Sequence, residues 1–188
     1  LSTLAGAANE LTGAVLVTGS HGGLIAAHYA LAAGVGAAIF NDAGRGLDDA
    51  GIAGVVALDG AGMAAAAVAH TTARIAVAAD TLARGIVSFS NAHSTALGVV
   101  PGMPCQEAAQ RLRAAPTPAG ALPRQREARV VLVAPDAPGR AVIGLDSIGS
   151  VEAGDAGCVL VIGSHGGLHG GDPASALAVA AAAAFFHD

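Results

Sequence analysis

Short apolar runs alternate with helix-forming segments along most of the chain. One run ends at Val17 and is followed by Gly-Ser-His-Gly-Gly and by a helix-forming stretch that reaches Ala33. A second run covers Ala37 to Phe40 and stops at a polar segment. Continuous apolar runs of this length are typical of buried strands, so the order predicts strand, loop, helix, strand. A crossover of this size predicts that the two strands pair in parallel.

The same criteria predict further elements in the middle of the chain, where alanine obscures the periodicity. We predict Val55 to Leu58 as a strand or part of a helix, Ala61 to His70 as a helix, Ile86 to Phe89 as a strand, and Gln106 to Ala115 as a helix. Prolines and glycine at about 115–128 predict an exposed loop.

In the last third of the chain, the residue pattern predicts a hairpin, a further strand and a helix. Arg129 to Ala134 and Ala141 to Leu145 are β-type runs separated by turn residues, which predicts an antiparallel hairpin near 129–145. Cys158 to Ile162 predicts a strand, and Ala174 to Phe186 predicts a helix capped by Asp172. We therefore expect one α/β domain over 1–188, with three layers: a mainly parallel sheet and helices on both of its faces.

A ten-residue phrase occurs twice in the chain. Val15-Leu-Val-Thr-Gly-Ser-His-Gly-Gly-Leu24 recurs as Val159-Leu-Val-Ile-Gly-Ser-His-Gly-Gly-Leu168, with nine of ten positions identical. Both copies follow a predicted strand, and parallel sheets bind ligands at the carboxyl ends of their strands. If the two strands are neighbours, the two loops form the walls of one cleft, in which His21 faces His165.

The residue types in these loops suit acid-base chemistry on an anionic or carbonyl group. Backbone N–H groups of glycines approach anions closely, which makes six glycines candidate ligand-binding residues: Gly19, Gly22, Gly23, Gly163, Gly166 and Gly167. His21 and His165 are candidate general acids or bases, because histidine titrates near neutrality. Ser20 and Ser164 are candidate nucleophiles, each activated by the histidine of the other loop. The alternative is structural, with glycines for tight turns and serines as helix caps.

Other polar segments offer weaker candidates. Asn41 and Arg45 are candidate substrate-binding residues and Asp42 a candidate catalytic residue, although such residues also build ordinary solvated turns. His165, His169 and Asp172 are an alternative metal-binding set without a diagnostic zinc spacing. The polar segments His70 to Arg74 and Asn91 to Thr95 are expected to be structural.

Composition excludes several classes of protein. The net charge of −5 and the absence of lysine disfavour nucleic-acid binding and rule out Schiff-base and Walker-lysine mechanisms. Polar and glycine residues interrupt the apolar stretch from residue 14 to 41, so we expect no membrane span. A hydrophobic content of 53% predicts extensive burial and a homo-oligomer. Two widely spaced cysteines, Cys105 and Cys158, favour a reduced, cytoplasmic protein.

The segment from Val15 to Asp42 resembles the start of a short-chain dehydrogenase, with its Thr-Gly-x-x-x-Gly turn and an acidic residue after the second strand. The resemblance implies a nicotinamide cofactor over the first loop and helix. It covers about thirty residues. Ile25 stands at the family's final glycine, and the family's catalytic tyrosine and lysine have no counterpart, since the chain has no lysine and its one tyrosine is Tyr29.

The leading hypothesis is a small-molecule enzyme, marginally a hydrolase, with its acid-base site on the two glycine loops. A lyase or an isomerase needs the same proton shuttle beside a polarised oxygen. The alternatives are a dinucleotide- or nucleotide-binding protein and a non-catalytic assembly subunit. No cofactor is favoured, and a divalent metal and NAD remain the two options.

Overall fold

The computed structural model of the chain describes residues 11–123, 126–135, 139–168, 172 and 175–187. The chain divides into two compact units, Leu1–Gln125 and Arg126–Asp188. Each unit has its own four-stranded sheet with parallel and antiparallel pairs. The predicted α/β class is confirmed. Two mixed sheets take the place of the one mainly parallel sheet that the sequence predicts.

The sheet of the first unit has the strand order β1-β2-β3-β4. Its strands are β1 Val15–His21, β2 Ala37–Asn41, β3 Ala64–Val68 and β4 Val87–Ser90. The first three pair in parallel, and β4 runs antiparallel to β3. The α-helices in its described residues are α1 Leu24–Ala32, α2 Ala53–Gly60, α3 Ala78–Arg84, α4 Ala92–Ala96 and α5 Cys105–Leu112. The predicted strand, helix, parallel-strand order at the amino end is therefore confirmed.

β3 shows that the helix predicted over Ala61 to His70 is wrong. Four consecutive alanines, Ala64 to Ala67, favour a helix by intrinsic propensity, yet they lie in a fully buried strand. β3 bonds to β2 on one side and to β4 on the other, so its backbone groups are satisfied only as a strand. Helix propensities differ by less than about 1 kcal/mol per residue, and tertiary context outweighs them. Of the two options for Val55 to Leu58, the helical one is correct.

Small side chains let helices pack against both faces of this sheet. Ala38 and Phe40 of β2 belong to one buried cluster with residues of α1 and α2. Ala37 and Ile39 belong to another with residues of α5. The alternation follows the two-residue period of a strand, and both faces are apolar because both are covered.

The sheet of the second unit has the order β5-β6-β7-β8. Its strands are β5 Arg129–Val133, β6 Val142–Leu145, β7 Val159–His165 and β8 Ala183–His187. β5 and β6 form the predicted antiparallel hairpin, whereas β6, β7 and β8 pair in parallel. In none of the described ranges of the chain is a helix long and apolar enough to cross a bilayer.

β8 shows that the helix predicted over Ala174 to Phe186 is wrong at its carboxyl end. Exposure alternates along β8: Phe186 packs into the core of the second unit, while Phe185 is 60% exposed. Aromatic residues favour strands, and β8 completes the backbone bonding of β7. Alanine-rich sequence again gave a misleading helix signal.

The two units share a backbone substructure that extends well beyond the repeated phrase. Val15 pairs with Ala37 in the first unit, and the matching residue Val159 pairs with Ala183 in the second. In both units the register shifts just before the histidine, so that His21 pairs with Asn41 and His165 with His187. The turn before each strand matches as well, with Gly13 at φ 72° and Gly157 at φ 75°. The pair β7-β8 is therefore a structural copy of β1-β2.

Gly54 of α2 provides a test of how closely this helix packs on the glycine loop. A Cβ atom at Gly54 would overlap the carbonyl oxygen of Gly23, whereas one at Gly60, at the end of the same helix, meets no described atom within 4 Å. We expect Gly54→Ala to lower the free energy of unfolding by about 2 kcal/mol or more through overpacking.

Gly60→Ala is the matched control, measured by urea unfolding of both variants. Alanine has the higher helix propensity, so this variant should be unchanged or more stable by up to about 1 kcal/mol. Equal stability of the two variants would contradict the close approach at Gly54.

Candidate functional site

The carboxyl ends of β1, β2 and β3 bring three polar segments to one edge of the first sheet. His21 ends β1 and is paired in register with Asn41, which ends β2 and is paired with Val68 at the end of β3. Asp42 and His70 follow β2 and β3. Neighbouring strands lie about 4.8 Å apart, so the ends of β1 and β3 are separated by roughly 10 Å.

Asp42 is the most highly bonded side chain of this edge. Its Oδ1 accepts hydrogen bonds from the backbone N–H groups of Gly44 and His70, each at 2.9 Å, and contacts Nδ1 of the His70 ring at 3.1 Å. Burial alone would raise the pKa of Asp42. The hydrogen bonds from the Ser88 side chain, from the two backbone amides and from the His70 ring outweigh burial and lower the pKa below its usual value. Asp42 is therefore a carboxylate at neutral pH.

His70 is held by this carboxylate and is about half exposed to solvent. Its side chain is 52% exposed, whereas that of Asp42 is 6% exposed. Because an ionised carboxylate only accepts hydrogen bonds, Nδ1 of His70 must carry the hydrogen between them. The neutral ring then has its lone pair on Nε2, which makes no hydrogen bond within the described residues. A ring in this state can accept a proton from a ligand.

His21 has the opposite arrangement. The backbone N–H of Gly23 donates a hydrogen bond of 3.1 Å to Nδ1 of His21, so the hydrogen of the neutral ring lies on Nε2. Burial lowers the pKa of His21, which keeps the ring uncharged. On Nε2, the neutral ring of His70 thus has its lone pair, whereas the neutral ring of His21 has its hydrogen.

The glycines of the first loop serve close packing and internal hydrogen bonds. The N–H of Gly22 donates to the carbonyl of Asn41 at 2.9 Å, and that of Gly23 is used by His21. A Cβ atom at Gly19 would overlap the backbone at Val77. Anion binding by these glycines stays a prediction, and the amides of Gly22 and Gly23 already have partners within the protein. The N–H of Ser20 bonds to Oγ1 of Thr18 at 3.1 Å.

Asn41 and Arg45 lie on either side of Asp42 in the chain. Asn41 is fully buried and bridges two segments, donating to the carbonyl of Ala73 at 3.0 Å and accepting from the N–H of Ala43 at 2.9 Å. Arg45 pairs with Asp49 at 2.9 Å and lies 5.6 Å from the centre of the Phe89 ring. The side chain of Asn41 is therefore already bonded within the protein, and a substrate carboxylate at Arg45 would compete with Asp49.

The segment after β2 has an unusual backbone. Four non-glycine residues in it have positive φ: Ala43 at 48°, Arg45 at 66°, Asp48 at 54° and Asp49 at 57°. Each costs roughly 1 kcal/mol or more, and such residues concentrate at functional sites. The strain accumulates beside Asp42, which holds Gly44 and His70 in place.

The second unit places its candidate residues at the carboxyl end of β7. The N–H of Gly167 donates to Nδ1 of His165 at 3.0 Å, repeating the contact in the first unit. Oγ of Ser164 accepts from the N–H of Ile148 at 3.0 Å, which gives this serine a structural partner. A Cβ atom at Gly163 or at Gly166 would lie 3.2 and 3.3 Å from its neighbours, so both glycines are tightly packed.

His169 of the alternative metal set lies outside the described residues. Among the residues that are described, no group of three or more His, Cys, Asp or Glu side chains is placed to hold a metal ion. Asp172 is described and lies in neither a helix nor a strand.

The proposed common edge for the two repeated loops is wrong. It requires neighbouring strands of one sheet, but β1 pairs only with β2 among the described strands, and β7 lies between β6 and β8 in the other sheet. The repeat therefore gives each sheet its own histidine. In the first unit, His21 shares its edge with Asn41 and Asp42, as the sequence predicts.

The sequence analysis expected His70 to be structural and did not predict its contact with Asp42. The signal was present, since a polar residue directly after an apolar run marks a strand end, but the alanines of β3 were interpreted as a helix. Asn91 is structural, as expected: its side chain bonds to four backbone groups, those of Val55, Met63, Ala65 and Ser94.

A second Asp-His pair joins α2 to the start of α4. Oδ1 of Asp59 contacts Nδ1 of His93 at 3.0 Å and accepts from its backbone N–H at 3.2 Å. Both side chains are well exposed, at 37% and 43%. Parallel strands of the sheet do not end here, so this pair serves as a geometric control for Asp42 and His70.

Asp42→Asn tests the stabilisation that the carboxylate provides. Because its pKa is lowered on folding, the ionised form stabilises the fold fully above the unfolded-state pKa of about 4. That stabilisation is lost as pH falls through the lower folded-state pKa. We expect the variant to unfold at lower urea concentration than wild type at pH 7, with the difference shrinking below about pH 4.

Asp48→Asn is the control, since Asp48 is exposed and asparagine tolerates its positive φ. It should differ little from wild type at either pH. A constant difference for Asp42→Asn between pH 7 and pH 3 would contradict the role of the charge.

Comparison with models of known protein families, with curated proteins and with solved structures finds no match for this chain. The geometry of the described residues is therefore the basis for any functional assignment. The homo-oligomer, the cytoplasmic location, the absence of nucleic acid as a partner and the nucleotide-binding alternative stay predictions.

Proposed function

We propose that the protein is a small-molecule enzyme whose acid-base site lies at the carboxyl edge of β1, β2 and β3. Hydrolysis is slightly favoured over lyase or isomerase chemistry. The observation that supports this most is the buried, ionised Asp42 bonded to Nδ1 of the half-exposed His70. A carboxylate in this position fixes the tautomer of the ring and stabilises the imidazolium that forms when Nε2 takes a proton. His70 is then the general base, and Asp42 is its positioning residue.

His21 supplies the complementary group in this proposal. Its Nε2–H can donate a hydrogen bond to a carbonyl or anionic oxygen while the ring stays neutral. A neutral imidazole that polarises a carbonyl oxygen, opposite a base that takes a proton, suits hydrolysis of an ester or amide by water. It equally suits proton removal beside a carbonyl. The substrate class is therefore a small metabolite that bears a carbonyl group.

The proposal treats the first unit as a three-layer α/β sandwich. Helices α1 and α2 pack on one face of its sheet and α5 on the other, which fixes the strand ends in register. Catalytic groups must be held within a fraction of an ångström of their working positions, and strand ends in a covered sheet meet that need.

His70→Gln tests the proposal. Wild type and variant are assayed for hydrolysis of a panel of small esters, lactones and amides, and for deuterium exchange beside the carbonyl of small ketones and keto acids. Loss of a general base lowers the rate by about 10²- to 10⁴-fold, so we expect a decrease of that size in kcat/KM for the accepted substrate.

His93→Gln is the matched control, because it removes a ring with the same contacts to an aspartate at the exposed pair. It should stay within about twofold of wild type. The proposal is wrong if wild type turns over no member of the panel faster than His70→Gln does, or if His93→Gln loses as much activity.

A further inference from the structure

The repeated His-Gly-Gly turn makes the same contact in both units. The N–H of the second glycine donates to Nδ1 of the histidine two residues earlier, at 3.1 Å for Gly23 and His21 and at 3.0 Å for Gly167 and His165. A backbone N–H can only donate, so Nδ1 must accept with its lone pair. The hydrogen of each neutral ring is then on Nε2.

The second glycine is required by the position of the ring. A Cβ atom at Gly23 would lie 2.7 Å from both Nδ1 and Cε1 of His21, closer than real Cβ contacts allow. Any residue with a Cβ atom at this position would force the ring to shift. This close contact explains why the residue two positions after the histidine is a glycine. A tight turn alone does not explain it, since Gly23 has an ordinary φ of −72°.

Each of these two histidines lies at the carboxyl end of a parallel strand pair. His21 is in register with Asn41, and His165 is in register with His187. The register shift before each histidine is also common to both units. Equivalent backbone thus presents an equivalent ring nitrogen at the edge where parallel sheets bind their ligands.

We infer that each His-Gly-Gly turn locks its histidine as the neutral Nε2–H tautomer, in which Nε2 is a hydrogen-bond donor. The lock does not depend on the proposed function. Metal binding needs a lone pair on the ligating nitrogen. A locked ring has none on Nε2, so neither histidine serves as a metal ligand through that atom.

The test is the tautomer of each ring in the full-length chain. Long-range ¹H–¹⁵N spectra at pH 7 distinguish Nε2–H from Nδ1–H, and a second set is recorded after addition of zinc chloride. We expect Nε2–H for both His21 and His165, with no zinc-induced change at either. An Nδ1–H form or a charged ring at either position, or a shift of either ring on addition of zinc, would overturn the inference.

Two variants distinguish the effect of the amide N–H of residue 23 on the tautomer from the effect of steric crowding by a Cβ atom. Gly23→Pro and Gly23→Ala both place a Cβ atom against the ring, but only proline removes the N–H, and the φ of Gly23 suits it. We expect Nε2–H to persist at His21 in the alanine variant and a mixture of tautomers in the proline variant. The tautomer of His165 should be unchanged in both variants, and its signal serves as an internal control for the spectra.

Equal loss of the lock in the alanine and proline variants would show that crowding, and not the amide, sets the tautomer, and would overturn the inference. Should the proline variant fail to fold, the wild-type spectra alone decide it. None of these measurements needs turnover, so a failed lock is distinguished from a failed catalytic proposal, which depends on His70.

Discussion

The carboxylate of Asp42 is the interaction on which the carboxyl edge of the first unit depends. It accepts hydrogen bonds from the segment that follows β2 and from the start of the segment that follows β3. Together with Asn41, which bonds to Ala43 and Ala73, it ties these two segments to each other. The same carboxylate fixes the ring of His70, so that one buried charge organises both the backbone and the proposed chemistry.

Small residues make this arrangement possible. The alanines of β3 and the alternation in β2 let helices approach both faces of the sheet closely. Glycines then allow backbone to meet backbone, as where Gly54 of α2 lies against Gly23. The abundance of alanine and glycine in the sequence is thus a requirement of close packing, which brings the loop of His21 and the start of α2 together.

The sequence predicted the parallel pairing of β1 and β2 and the hairpin of β5 and β6, because apolar runs and turn residues report them directly. It predicted His21, Asn41 and Asp42 at one edge for the same reason. It did not predict His70 at this edge, because alanine favours helices in isolation and reports nothing about the neighbours that make β3 a strand. The single-sheet cleft was wrong because a repeated phrase gives the local structure of each copy and says nothing about which strands pair.

In the structure, the two copies of the repeated phrase have the same local role in different sheets. The two copies do not build opposite walls from neighbouring strands; each orients one histidine through the glycine that follows it. In the first unit alone, among the described residues, a second histidine with the opposite hydrogen placement lies two strands away. The proposed acid-base chemistry uses these two groups, an N–H donor and a proton acceptor.

The most direct test of this account is the tautomer of neutral His70, measured by long-range ¹H–¹⁵N spectra of wild type and of Asp42→Asn. The account predicts an Nδ1–H ring in wild type, because the ionised carboxylate accepts that hydrogen, and loss of the preference in the variant. An Nε2–H ring in wild type, or the same tautomer with and without the carboxylate, would contradict it.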